Sequence, residues 1–165
     1  MSRAIVGLVF GLIALAGAAA EPRWYFDLPK AQELAKVENK LVLIDFTGSD
    51  WCGWCMKLRK EVFLAPEFND YARSNLVLVE IDQPRYKPFS LEFLQRNSEI
   101  QDKYHAEAFP TLVLLNSAGQ ELWRLGGYAE LSISQWCKMF DNLKSGAPAT
   151  PPPVSTLPQG SQGQK

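Results

Sequence analysis

A chain of 165 residues with 17 basic and 18 acidic side chains has a formal net charge of −1, so no basic surface argues for a nucleic-acid partner. Its 47% hydrophobic content supports one domain with a single core, which falls at about residues 21–145.

Arg3, the apolar run of residues 4–19 and Ala18-Ala19-Ala20 before Glu21 have the form of a secretory leader, with cleavage expected after Ala20. An uncleaved anchor is the alternative, because the run approaches the roughly 18–20 residues that span a bilayer. Small residues at its end and the abrupt polar onset favour cleavage. A leader sends the mature chain to a compartment where disulfides persist. With no K-D-E-L-type ending, a periplasmic or secreted location is expected.

Residues 24–26 suit a short strand, and Asp27 with Pro29 opens a helix to Asn39. Residues 41–46 form a nearly continuous apolar run of strand length, the pattern of burial on both faces. After a turn at residues 47–50, a helix is expected from Cys52 to about Phe63, then a shorter one from Pro66 to Tyr71. Residues 76–81 are a second buried strand, parallel to the first through the intervening helix. Pro84 and Pro88 break the chain before a helix from Ser90 to Tyr104. Residues 111–115 and 121–125 read as a hairpin, and a last amphipathic helix spans 131–143, with Ile133, Trp136, Cys137 and Phe140 on its apolar side. From Gly146 to Lys165 the chain is rich in Pro, Gly, Ser and Gln, and a disordered tail is expected.

Trp51-Cys52-Gly53-Trp54-Cys55 is the stretch that implies a reaction. Two thiols spaced C-x-x-C at a strand-to-helix junction can exchange a disulfide, and free N–H groups at a helix start favour the thiolate of the first. Cys52 is then the nucleophile and Cys55 the shielded resolving thiol. A purely structural disulfide gains little from so short a ring. Structural zinc is the stronger rival, but its other ligands would have to come from Cys137 and His105.

The element order, the lead from residues 43–46 into the cysteine motif, Phe109-Pro110-Thr111 opening a strand, and Gly119 with Gly126-Gly127 around the terminal hairpin together resemble the thioredoxin-fold proteins. The resemblance covers about residues 24–145. It implies an α/β fold with a central mixed sheet of four to five strands flanked by helices. It implies thiol–disulfide exchange on protein disulfides or dithiols, the reductase or isomerase direction being preferred, with Cys52 attacking and Cys55 resolving. Pro110 matches the family's cis-proline, so Trp51, Gly53, Trp54, Phe109, Pro110 and Thr111 are the expected substrate-binding residues. Asp45 matches a buried aspartate that moves the resolving thiol's proton, although it stands seven residues before the first cysteine instead of six. No metal and no bound cofactor is expected, so a reductase needs a membrane or soluble thiol electron donor.

Departures from the family are visible as well. Gly53-Trp54 lacks the proline or histidine found between the cysteines of many members, Lys60 replaces a helix proline, and residues 83–97 are an insertion. These features resemble secreted bacterial thioredoxin-like proteins more than thioredoxin itself. A non-catalytic binding or assembly module using the same groove is the main alternative, and a metal carrier using the two thiols is the third. His105 is expected at a helix end or on the surface, Cys137 as a buried free thiol, and Trp123 and Trp136 in the core.

Overall fold

The computed structural model describes residues 22–147. The expected leader, residues 1–20, and the expected tail beyond residue 147 lie outside the described residues. The first half of the described chain runs β1 (Trp24–Tyr25), α1 (Leu28–Glu38), β2 (Leu41–Thr47) and α2 (Gly53–Leu58), which continues as a π-helical turn (Arg59–Phe63). The second half runs α3 (Pro66–Asn75), β3 (Leu76–Asp82), α4 (Leu91–Lys103), β4 (Thr111–Leu115), β5 (Glu121–Gly126) and α5 (Ile133–Lys144).

Local chemistry sets most of these boundaries. Asp27 caps α1 by accepting the Lys30 N–H at 3.2 Å, and Asn39 ends it in the left-handed region at φ 51°. Ser90 caps α4 through the Phe93 N–H. Ser132 and Gln135 form a reciprocal capping box, so α5 starts at Ile133, two residues later than its apolar pattern suggests. α3 runs on to Asn75, four residues past its expected end, because Ala72 is fully buried and extends the apolar face.

The strands form one five-stranded sheet in the order β1-β3-β2-β4-β5. β1 and β2 lie parallel to β3, while β4 runs antiparallel to both β2 and β5. Alternation along each strand sends side chains to two apolar layers. Leu41, Leu43, Leu78, Leu112 and Leu114 pack against α2, α3 and α5, with Trp136 and Phe140 fully buried among them. Val42, Ile44, Phe46, Val79, Ile81 and Val113 pack against α1 and Tyr104 on the other face. Each such fully buried side chain contributes roughly 1.5–3 kcal/mol.

The lone tryptophans and cysteine of the second half divide unevenly. Trp136 is core, and Trp123 is half-buried, edge-on to Trp136 at 6.2 Å. Cys137 is half-buried instead of buried, because it stands one position round α5 from the fully buried Trp136. His105 is exposed just past α4, at φ 50°.

Candidate active site

The chain leaves β2 at Thr47 and folds into a tight turn. The Trp51 and Cys52 N–H groups both donate to the Gly48 carbonyl, at 3.2 and 2.9 Å. A Cβ at position 48 would stand 2.4 Å from the Trp51 indole, so glycine is what lets the ring fold back over the turn. This turn absorbs the extra residue between Asp45 and Cys52, and the β2 ladders to β3 and β4 stay regular.

Cys52 is the residue that caps α2, and it is disulfide-bonded to Cys55. Its Sγ accepts the Cys55 N–H at 3.2 Å. The same backbone donor and the partial positive charge of the helix start favour negative charge on that sulfur when the pair is reduced. Cys52 is 7% exposed and Cys55 3%, so Cys52 is the more accessible sulfur-bearing residue.

Aromatic side chains flank the pair on both sides. Trp51 donates its indole N–H to the Gln83 carbonyl at 2.7 Å and meets Phe109 edge-on at 5.5 Å. Trp54, 40% exposed, stacks on Tyr128 at 5.9 Å, with the Lys57 Nζ 4.8 Å from the Tyr128 ring centre. The Tyr128 hydroxyl donates to Glu61. Burial, reinforced by that hydrogen bond and the nearby acidic charges, pushes the phenol up to about 12. Gly53 is exposed, with open space around it.

The Phe109–Pro110 peptide bond is cis, and the Pro110 carbonyl accepts the Gly127 N–H at 2.7 Å. Phe109 is half-buried. Thr111 is 5% exposed and its hydroxyl donates to the Ala108 carbonyl at 2.7 Å. Its side chain therefore braces the loop before β4.

Asp45 shares its strand face with Leu41 and Leu43, the face covered by α2 and the π-helical turn. It is 5% exposed, and its Oδ1 has no hydrogen-bond partner among the described residues. Burial first, then the Glu80 carboxylate, raise its pKa well above the ordinary carboxylate value, with Arg59 pulling the other way and Asp82 adding to the rise. Glu80 is the ladder partner of Asp45 and sits 3.2 Å from Arg59, one turn after Cys55. Burial likewise raises Glu80, against the lowering effect of Arg59.

Several of these groups carry no motif. Arg59 and Glu80 become neighbours of Asp45 only through helix phase and strand register. Asp50, read in the sequence as a turn residue, accepts the backbone N–H groups of Arg85, Tyr86 and Lys87 at 3.0, 2.8 and 2.8 Å. Ser49 donates its N–H and hydroxyl to Asp82 at 2.8 and 2.6 Å. The insertion after β3 is thus pinned to the turn before the cysteines.

The thioredoxin-like domain family model matches residues 28–144. The chain is 36% identical over 109 residues to the disulfide bond reductase DsbH of Chlamydia pneumoniae, covering 66% of this chain and 65% of that protein. It is 32% identical over 105 residues to the thioredoxin-related protein DsbJ of the same organism, covering 64% of this chain and 30% of that protein. The matched region is therefore just under two thirds of the first relative and under one third of the second. A solved structure described as DsbH oxidoreductase superposes with a TM-score of 0.68 at 30% identity, over 87% of this chain and 95% of that one. On the family match, these relatives and the sheet order, the chain belongs to the thioredoxin-like domain family.

Proposed function

We propose that the chain, a thiol–disulfide oxidoreductase by family, works on protein disulfides in the reducing or isomerising direction. The observation that carries this reading is the position of Cys52: it caps α2, takes the Cys55 N–H on its sulfur, and lies between two partly exposed tryptophans. The Cys52 thiolate attacks one sulfur of the substrate disulfide, and the other substrate sulfur leaves as a thiolate. Cys55 then gives up its proton, for which the buried Asp45 carboxylate is the acceptor, and attacks Cys52. The second substrate thiol departs, two electrons have passed to the substrate, and Cys52–Cys55 is oxidised. A membrane-bound or soluble thiol donor resets the pair in a periplasmic or secreted setting.

Trp51, Trp54, Gly53 and the Phe109–Pro110 backbone form the surface on which the substrate chain lies. The exposed Trp54 face and the open space at Gly53 support that assignment. Direction is tested by equilibrating the full-length protein with glutathione. A Cys52–Cys55 potential near the reducing end of the fold's range, about −270 mV, is expected; one near about −120 mV overturns the reductase direction.

A further inference from the structure

A cleft of about 340 Å³ opens beside the cysteine motif, bounded by Trp51, Gln83, Arg85, Ser98, Gln101 and Phe109. Trp51 and Phe109 belong to the walls of the proposed substrate groove, so the cleft is its lateral extension. The remaining walls come from the insertion after β3 and from α4, and none of the lining residues is acidic.

The insertion is held in place from several directions. Asp50 accepts three successive backbone N–H groups, the Trp51 indole N–H donates to the Gln83 carbonyl, and Lys87 donates to the Ser49 hydroxyl at 3.2 Å. Partial desolvation works against the Asp50 charge, but those three backbone donors win and hold its carboxyl below the usual range. Asp50 is thereby an anchor for the loop backbone.

Arg85 is the charged group this anchoring presents. Its guanidinium carbon lies 3.7 Å from the centre of the Trp51 ring. Stacking on an aromatic face occupies the flat side of the guanidinium and leaves its edge N–H donors free, in the fork that matches a carboxylate. Arg85 makes no ion pair among the described residues. Gln83, Ser98 and Gln101 add neutral polar groups around it.

We propose that this cleft is a specificity subsite in which Arg85 binds the carboxylate of an Asp or Glu side chain that the protein substrate carries close to its reactive cysteine. The proposal rests on the exchange chemistry of the preceding section. It makes the enzyme selective for acidic flanks around a target cysteine. Arg85 acts here by binding substrate and takes no part in moving electrons.

The test uses the full-length reduced protein and short peptides whose single cysteine is held as a mixed disulfide with thionitrobenzoate. Cys52 attacks that disulfide and the coloured thiol is released. A single Glu is moved through the four positions on either side of the cysteine, with Gln as the matched neutral control. At one position or a neighbouring pair, kcat/KM for the Glu peptide is expected to exceed that for the Gln peptide by roughly fivefold at low salt, and the preference is expected to shrink as salt rises. Arg85→Gln should bring the Glu and Gln peptides to equal kcat/KM without moving the Cys52–Cys55 potential, and Arg85→Glu should place the Gln peptides ahead of the Glu peptides. Equal rates for Glu and Gln at every position, or a preference that survives Arg85→Gln, overturns the subsite and leaves the exchange chemistry standing. Failure of the reduced protein to react with any peptide overturns both.

Discussion

Arg59 reaches 3.2 Å from the Glu80 carboxylate, and Glu80 stands directly opposite Asp45 in the β2–β3 ladder. One cation at the start of the π-helical turn thus offsets part of the charge of two carboxylates beneath the cysteine helix. Asp45 remains the more buried of the two, with its Oδ1 unpartnered. Folding raises its pKa, so the folded state holds that proton more tightly than the unfolded state does. Its protonated form favours the fold below the ordinary carboxylate range, and stability falls as pH rises through the folded value. Asp45→Asn should therefore be more stable than the parent at about pH 8, with the gain shrinking toward about pH 4 in urea unfolding. The same variant should slow the Cys55 step roughly tenfold or more and flatten its pH profile, measured by stopped-flow release of the second substrate thiol.

Gly48 lies under the Trp51 ring. Gly48→Ala puts a methyl where the indole sits, and is expected to destabilise the fold by roughly 1–3 kcal/mol through overpacking. Displacing the ring also breaks its hydrogen bond to Gln83. Urea unfolding and the Trp51 contribution to fluorescence should report both effects, with a loss of kcat/KM toward protein disulfides.

Tyr128 ties the β5 side of the groove to the cysteine helix through Glu61 while its ring supports Trp54. Tyr128→Phe keeps the stack and loses the hydrogen bond, at an expected cost of about 1 kcal/mol. Folding raises the phenol's pKa to about 12, so its contribution is complete below the unfolded tyrosine value and disappears as pH climbs through the folded one. The stability gap between parent and variant should accordingly be constant around neutrality and close in strongly alkaline buffer.

Cys137 is half-buried and free. Burial, followed by the charge of Asp141, raises its thiol pKa. A thiol reagent should find one slowly reacting group in the oxidised native protein, speeding up on unfolding. Cys137→Ser should leave disulfide exchange unchanged.

The sheet was legible because its central strands are apolar runs of strand length. Residues 41–46 and 76–81 lack alternation since helices cover both faces, and each strand extends only one residue further, to Thr47 and Asp82. Caps at Asp27 and Ser90 could be read because the side chain that stops the backbone is itself in the sequence. The capping box at Ser132 was equally visible in form, but the apolar Leu131 drew the expected helix start outward.

What escaped the sequence depends on tertiary register. No local pattern joins Arg59 to Glu80, or Asp50 to the backbone of residues 85–87, because each pair meets only once the strand crossover is complete. The π-helical turn at Arg59–Phe63 is also unannounced: it begins beside Lys60, where the family's proline would otherwise disturb the helix. The Thr111 hydroxyl closes on the Ala108 carbonyl across the turn before β4, a contact with no local signature in the sequence.

Attack by Cys52 on a protein disulfide and resolution by Cys55 can be separated by removing the second thiol alone. The most direct test incubates the full-length Cys55→Ser variant with disulfide-containing proteins and analyses the mixture by non-reducing electrophoresis and mass spectrometry. Mixed disulfides joined through Cys52 and released by dithiothreitol are expected to accumulate, and to be absent when Cys52→Ser is added. Retention of the same partners by the double serine variant, with no covalent species through Cys52 in the single one, would contradict exchange through Cys52 and leave a binding module in its place.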